Sequence, residues 1–159
     1  QLEAALKARG RDVRVINAGV SGDTTAGGRS RLDWTLADRP DLVIVELGGN
    51  DGLRGIDPAV TYANLDDILT RLKAAGTRVL LTGMLAPPNL GRDYGEAFNA
   101  IFPRLAEKHA VPLYPFFLDG VAAERTLNQP DGIHPNQAGV AVLVTRILPA
   151  VEAVLDRRD

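Results

Sequence analysis

Along this chain, short apolar runs of strand length alternate with longer stretches whose apolar positions recur every three or four residues. The opening residues have helical spacing at Leu2, Ala5 and Leu6 and read as the back half of a helix closed by Gly10. Residues 13–17, rich in valine and isoleucine, predict a strand, and a small-residue loop over 18–23 leads into a helix over 24–37. The run 41–47 is almost continuously apolar, as in a strand buried on both faces, and it ends in a glycine-rich loop over 48–52. Helical spacing returns over 58–75, with Leu65, Ile68, Leu69 and Leu72 on one stripe, and Gly76 closes it before a strand over 78–82. After a loop over 83–92 the pattern predicts a helix over 94–109, a short strand over 112–115, a helical piece near 118–124 and a last helix over 136–155.

Strands that alternate with helices imply a parallel sheet covered on both faces, an α/β fold of three layers (α/β/α) with a flavodoxin-like sheet. No repeat or linker interrupts the pattern, so residues 1–159 read as a single domain. Open sheets of this type bind ligands at the carboxyl ends of their strands. Three polar loops are expected to converge there: those holding Gly22, Asn50 and the pair Asp131 and His134.

Composition narrows the classes. Hydrophobic residues make up 45% and charged residues 24%, which supports a packed core. A net charge of −2 with scattered arginines gives no basic patch, so no nucleic-acid partner is expected. The absence of cysteine excludes disulfides and thiolate chemistry, and two histidines without an H-E-x-x-H spacing argue against a metal centre; no cofactor is expected. No run looks apolar enough to form a transmembrane segment.

Candidate chemistry gathers in Asp131-Gly132-Ile133-His134-Pro135. A carboxylate that accepts an imidazole N–H fixes the tautomer and stabilises the imidazolium formed when the other nitrogen takes a proton. Pro135 suits the first position of the last helix. Asn50, after two glycines at a strand end, can offer its side-chain amide to an oxyanion, and Gly22 can offer an unhindered backbone N–H. A base, its orienter and two donors are therefore present as candidates for acyl transfer. Taken singly, each has a plainer reading: an Asx-rich turn with a surface histidine, a glycine turn, a helix entry. His109 reads as a charge near a helix C-terminus, Trp34 as a residue packed on the sheet, and Arg92 as a solvated loop residue.

The segments N-A-G-V-S-G-D-T-T (17–25), V-E-L-G-G-N-D-G-L-R-G (45–55) and D-G-I-H-P-N (131–136) resemble the second, third and fifth sequence blocks of the SGNH (GDSL-type) hydrolases, in particular the bacterial thioesterase, lysophospholipase and arylesterase group. The resemblance implies the SGNH hydrolase fold and a serine esterase that acts on carboxylic esters or thioesters through an acyl-enzyme. Its substrates would be small-molecule esters, including those of acyl chains or lysophospholipids. On the matching positions, Gly22 and Asn50 become oxyanion donors, His134 the base and Asp131 its orienter, while Leu53, Leu85 and Pro87 are candidates to line an acyl groove.

The family's first block, a strand followed by Gly-Asp-Ser-Leu, has no counterpart here, so the first strand and the nucleophilic serine are expected upstream of Gln1. Gly22-Asp23-Thr24 imitates that block, but its neighbours match the second block, and a threonine hydroxyl would need its own adjacent base. Ser21 and Ser30 are set aside by position. Without the missing strand the chain alone is expected to be inactive and poorly stable. Two alternatives stay open: a carbohydrate acetylesterase of the same superfamily, and a non-catalytic fragment that lacks its nucleophile. By the same resemblance, a periplasmic or secreted location is favoured, with a cytoplasmic one left open.

Overall fold

The computed structural model describes residues 1–157, arranged as two compact units, Gln1–Asn17 with 117–157 and Ala18–Phe116. In chain order the helices are α1 (Leu2–Ala8), α2 (Thr25–Ser30), α3 (Leu32–Leu36), α4 (Gly49–Leu53), α5 (Pro58–Ala74), α6 (Arg92–Asn99), α7 (Ile101–His109) and α8 (Gln137–Leu155). The strands are β1 (Leu42–Val45), β2 (Arg78–Thr82) and β3 (Leu113–Tyr114).

In the unit Ala18–Phe116 the three strands pair in parallel in the order β1-β2-β3, with Val43 opposite Val79 and Leu81 opposite Leu113. Flanked on both sides, β2 buries Val79, Leu80, Leu81 and Thr82, as a continuous apolar run should. Helix α5 starts at Asp57, whose carboxyl accepts the Ala59 N–H at 2.8 Å, with Pro58 in the first turn where its missing N–H costs nothing. Its predicted stripe is fully realised: Leu65, Leu69 and Leu72 are 0% exposed and Ile68 is 2% exposed. Burying each such side chain contributes about 1.5–3 kcal/mol. Phe98 of α6 and Phe102 of α7 join this core in an edge-to-face pair, centroids 5.7 Å apart.

The parallel sheet and the α/β class are as the sequence implied, but several elements differ. Residues 94–109 form two helices, not one, and the first begins at Arg92. Pro103 explains the break: it cannot donate to the Asn99 carbonyl and its ring would clash there, so a new helix starts at Ile101 with the proline in its first turn. Residues 24–37 likewise divide at Arg31, whose guanidinium turns back to the Asp23 carboxyl at 2.7 Å and to the Ala18 carbonyl oxygen. Trp34 does not pack on the sheet and is 72% exposed. It sits two positions from the buried Leu32 on α3, so it points to the opposite side of the helix. His109 is buried in the last turn of α7, with Nε2 2.6 Å from Asp66 Oδ1. The Lys108 ammonium, donating to the same carboxyl, holds Asp66 below the usual carboxylate range.

The unit containing both ends of the described chain is helical. Helix α1 packs on α8, and Arg9 and Arg11 bind Glu152 and Asp156 on the last turns, Arg11 in bidentate fashion at 2.6 and 2.7 Å. Residues 13–17 form no strand, since β-propensity is realised only against a neighbouring strand. The Val15 N–H is instead taken by the Glu3 carboxyl at 2.7 Å. Residues 118–124 are turns, not a helical piece, because Gly120 (φ +76°) and Ala123 (φ +66°) leave the helical region. Against expectation, α8 is by length and composition apolar enough to cross a membrane. Here the stripe Leu143, Ile147, Leu148, Val151 and Val154 is buried in the protein.

Candidate active site

Asp131 and His134 lie in a turn just ahead of α8. One carboxyl oxygen of Asp131 accepts two backbone N–H groups, those of Ile133 and His134, each at 3.0 Å. The other stands 2.8 Å from His134 Nδ1. These bonds, the backbone N–H of His134 first, pull the Asp131 carboxyl down to about 2. An aspartate so held stays a carboxylate and accepts a hydrogen bond from Nδ1–H, which leaves Nε2 with its lone pair outward. The required tight turn depends on Gly132 at φ +76°.

The loop is braced from behind. Buried Asn128 donates its amide to the Val121 and Glu124 carbonyls at 2.7 and 2.9 Å, and Asn128 pairs with Pro135 in an isolated antiparallel bridge. The Gln129 N–H donates to the His134 carbonyl at 2.7 Å. Pro135 is therefore not the first helical residue. Asn136 caps α8, its side-chain oxygen taking the Ala138 and Gly139 N–H groups at 2.9 and 3.0 Å, because a cap needs a side-chain acceptor that proline lacks.

Gly22 and Asn50 belong to the unit Ala18–Phe116, where the structure brings them together. Gly48 at φ +106° turns the chain directly out of β1 into α4, so Asn50 stands in the first turn of a helix and not in the loop expected over 48–52. The Asn50 side-chain N–H donates to the Asp23 carbonyl at 2.9 Å, which leaves the second amide hydrogen for another acceptor. Arg54 donates to the Gly22 carbonyl at 2.8 Å. Gly22 itself adopts φ +77°, and among the described residues nothing accepts its N–H. The result is two N–H donors on adjoining segments, one from the backbone and one from a side chain.

Leu53 ends α4 and is 53% exposed, and Leu85, in the loop after β2, is 51% exposed. Pro87 packs near Gly52, where an added Cβ would meet its Cδ at 3.3 Å. Tyr94 of α6 donates its hydroxyl to the Ile56 carbonyl at 2.8 Å and ties the loop after α4 to α6. The three apolar candidates therefore lie on segments joined through Gly52, Pro87 and Tyr94. Asp51, Arg54, Arg31 and Asn128 also shape these segments and carry no local sequence signal. Their partners are distant in sequence or are backbone carbonyls, so no local pattern marks them.

Residues 1–142 match the GDSL-like lipase/acylhydrolase family. The chain is 44% identical to esterase TesA of Pseudomonas aeruginosa over 155 residues, which are 97% of this chain and 77% of that protein. It is 49% identical to thioesterase 1/protease 1/lysophospholipase L1 of Escherichia coli K12 over 124 residues, 77% of this chain and 60% of that protein. A crystal structure of TesA superposes with a TM-score of 0.91 at 44% identity, covering 96% of this chain and 86% of that one.

Proposed function

Because the chain belongs to the GDSL-like lipase/acylhydrolase family and is an ester hydrolase, we propose that it cleaves carboxylic esters and thioesters of acyl chains through an acyl-enzyme. On this reading the nucleophile is a serine of the kind that the family's first block carries. His134 Nε2 takes the serine proton as the hydroxyl oxygen bonds to the substrate carbonyl carbon, and Asp131 stabilises the resulting imidazolium through Nδ1–H. The Gly22 N–H, the free Asn50 amide hydrogen and the serine's own N–H hold the oxyanion. Collapse expels the alcohol or thiol with the proton returned by His134. Water, deprotonated by the same imidazole, then releases the acid.

The observation that carries this reading is the Asp131–His134 arrangement, a 2.8 Å bond to Nδ1 with the carboxyl fixed by two backbone N–H groups. The esterase and thioesterase names of the relatives support the substrate class. The exposed Leu53 and Leu85 favour an acyl chain over a sugar-bound acetyl group. The test is hydrolysis of p-nitrophenyl acetate and of a medium-chain p-nitrophenyl ester by the protein with its upstream residues, by the 159-residue chain and by a His134→Ala variant. The reading expects activity only in the first, retained beyond acetyl. A steep fall after acetyl would favour a carbohydrate acetylesterase. No activity in any form would favour a non-catalytic protein, and activity in the short chain would place a nucleophile inside it. Export to the periplasm or medium is part of the same proposal and is checked by cell fractionation.

A further inference from the structure

We propose that Asp51 is a positioning residue for the oxyanion donors, a role that rests on the reading of Gly22 and Asn50 given above. Asp51 directly follows Asn50 in α4 and is 1% exposed. One of its carboxyl oxygens accepts the Thr25 N–H at 2.8 Å. The other accepts the Thr25 hydroxyl at 2.5 Å and the Thr61 hydroxyl at 3.1 Å. Asn64 of α5 closes the network by donating to the Thr25 hydroxyl oxygen at 3.1 Å. Among the described residues no buried side-chain nitrogen or oxygen lacks a partner. A fully satisfied buried network of this kind fixes geometry more firmly than surface bonds do.

Sequence position turns this network into a device. Asp51 is the neighbour of Asn50, and Thr25 opens α2 just after Gly22 and Asp23. The bond from Thr25 to Asp51 therefore joins the two segments that carry the donors. The bonds from Asn50 to the Asp23 carbonyl and from Arg54 to the Gly22 carbonyl run between the same segments, but they lie nearer the surface, with Arg54 exposed. Asp51 is the buried anchor. Three donor hydrogens converge on its two oxygens, whereas asparagine has one oxygen and would turn an N–H toward a donor. Asp51→Asn should thus displace α4 relative to Thr25, and a displacement of order 1 Å at a reacting centre costs up to about 100-fold.

The experiment is a double-mutant cycle in the full-length protein, with kcat and KM measured on a p-nitrophenyl ester for Asn50→Ala, Asp51→Asn and the pair, alongside circular dichroism. The expected result is a kcat for Asp51→Asn lower by about 10- to 100-fold with KM little changed. In the Asn50→Ala background the same substitution should cost clearly less than in the wild type, since the part of its effect that passes through Asn50 is already removed and only the part through Gly22 remains. Multiplying losses would overturn the proposal, as would an unchanged kcat in Asp51→Asn beside a reduced one in Asn50→Ala. An unchanged kcat in Asn50→Ala would overturn the oxyanion reading beneath it. If Asp51→Asn does not fold, Thr25→Val removes the hydroxyl that donates to Asp51 and accepts from Asn64 and leaves the bond from the Thr25 N–H in place. It should lower kcat, with recovery in Thr25→Ser, and an unchanged kcat there would sink the idea.

Discussion

A Cβ built on Gly139 would stand 2.1 Å from the carbonyl oxygen of Leu127. The same carbonyl accepts the Asn136 N–H at 2.9 Å, so the first turn of α8 and the strap beneath the Asp131–His134 turn meet backbone to backbone. Neither side can yield by a rotamer change. Gly139→Ala should therefore destabilise the protein by about 1–3 kcal/mol, as overpacking does, and should also lower esterase activity by shifting the turn. Thermal unfolding and kcat measured on one preparation check this. An alanine variant with wild-type melting would mean that the contact relaxes freely.

Asp131 makes a prediction about pH. Its folded-state pKa, about 2, is depressed from the ordinary 3.8, so its contribution to stability is fully present above 3.8 and is lost as pH falls through about 2. A carboxyl-carbon NMR titration should give a midpoint near 2. A midpoint at or above the ordinary value would show that the turn bonds do not persist in solution.

Asp131→Asn keeps the shape of the turn but cannot accept the Nδ1–H in the same way. In the protein with its nucleophile, kcat should fall by about 10⁴-fold, the size seen when such an orienter is replaced. Steady-state kinetics with a p-nitrophenyl ester measure it, and a loss under tenfold would assign Asp131 to the turn alone.

Asn50→Ala removes one donor and should lower kcat by on the order of 10²–10³ while KM holds. Gly22→Ala forces a side chain onto φ +77° and should lower activity too, through strain in the loop. The pair is informative together: kcat falling in both supports two donors, and KM rising alone in either would make that residue a binding contact.

For the core, Leu69→Ala in α5 should cost about 2–5 kcal/mol. Leu69 is 0% exposed and belongs to the cluster holding Leu65, Phe98 and Phe102. A shift in the urea midpoint of the 159-residue chain reads it, and no shift would mean that this core is not formed in isolation.

What the sequence determined by itself was whatever depends on neighbours along the chain. The apolar stripe of α5 and the bounds of β2 follow from local periodicity and capping, and the Asp131–His134 pair is legible because three residues of separation bring the two side chains within reach in a tight turn. The break at Ala100 was also readable in principle, from Pro103. Tertiary structure decided the rest. Residues 13–17 have strand composition and no strand, since pairing is a property of two segments. Trp34 is apolar and exposed because only packing chooses which face of α3 is covered. Asp51 looks like any loop aspartate until Thr25 and Thr61, from other helices, close around it. Such a contact depends on where the chain returns, which no local pattern encodes.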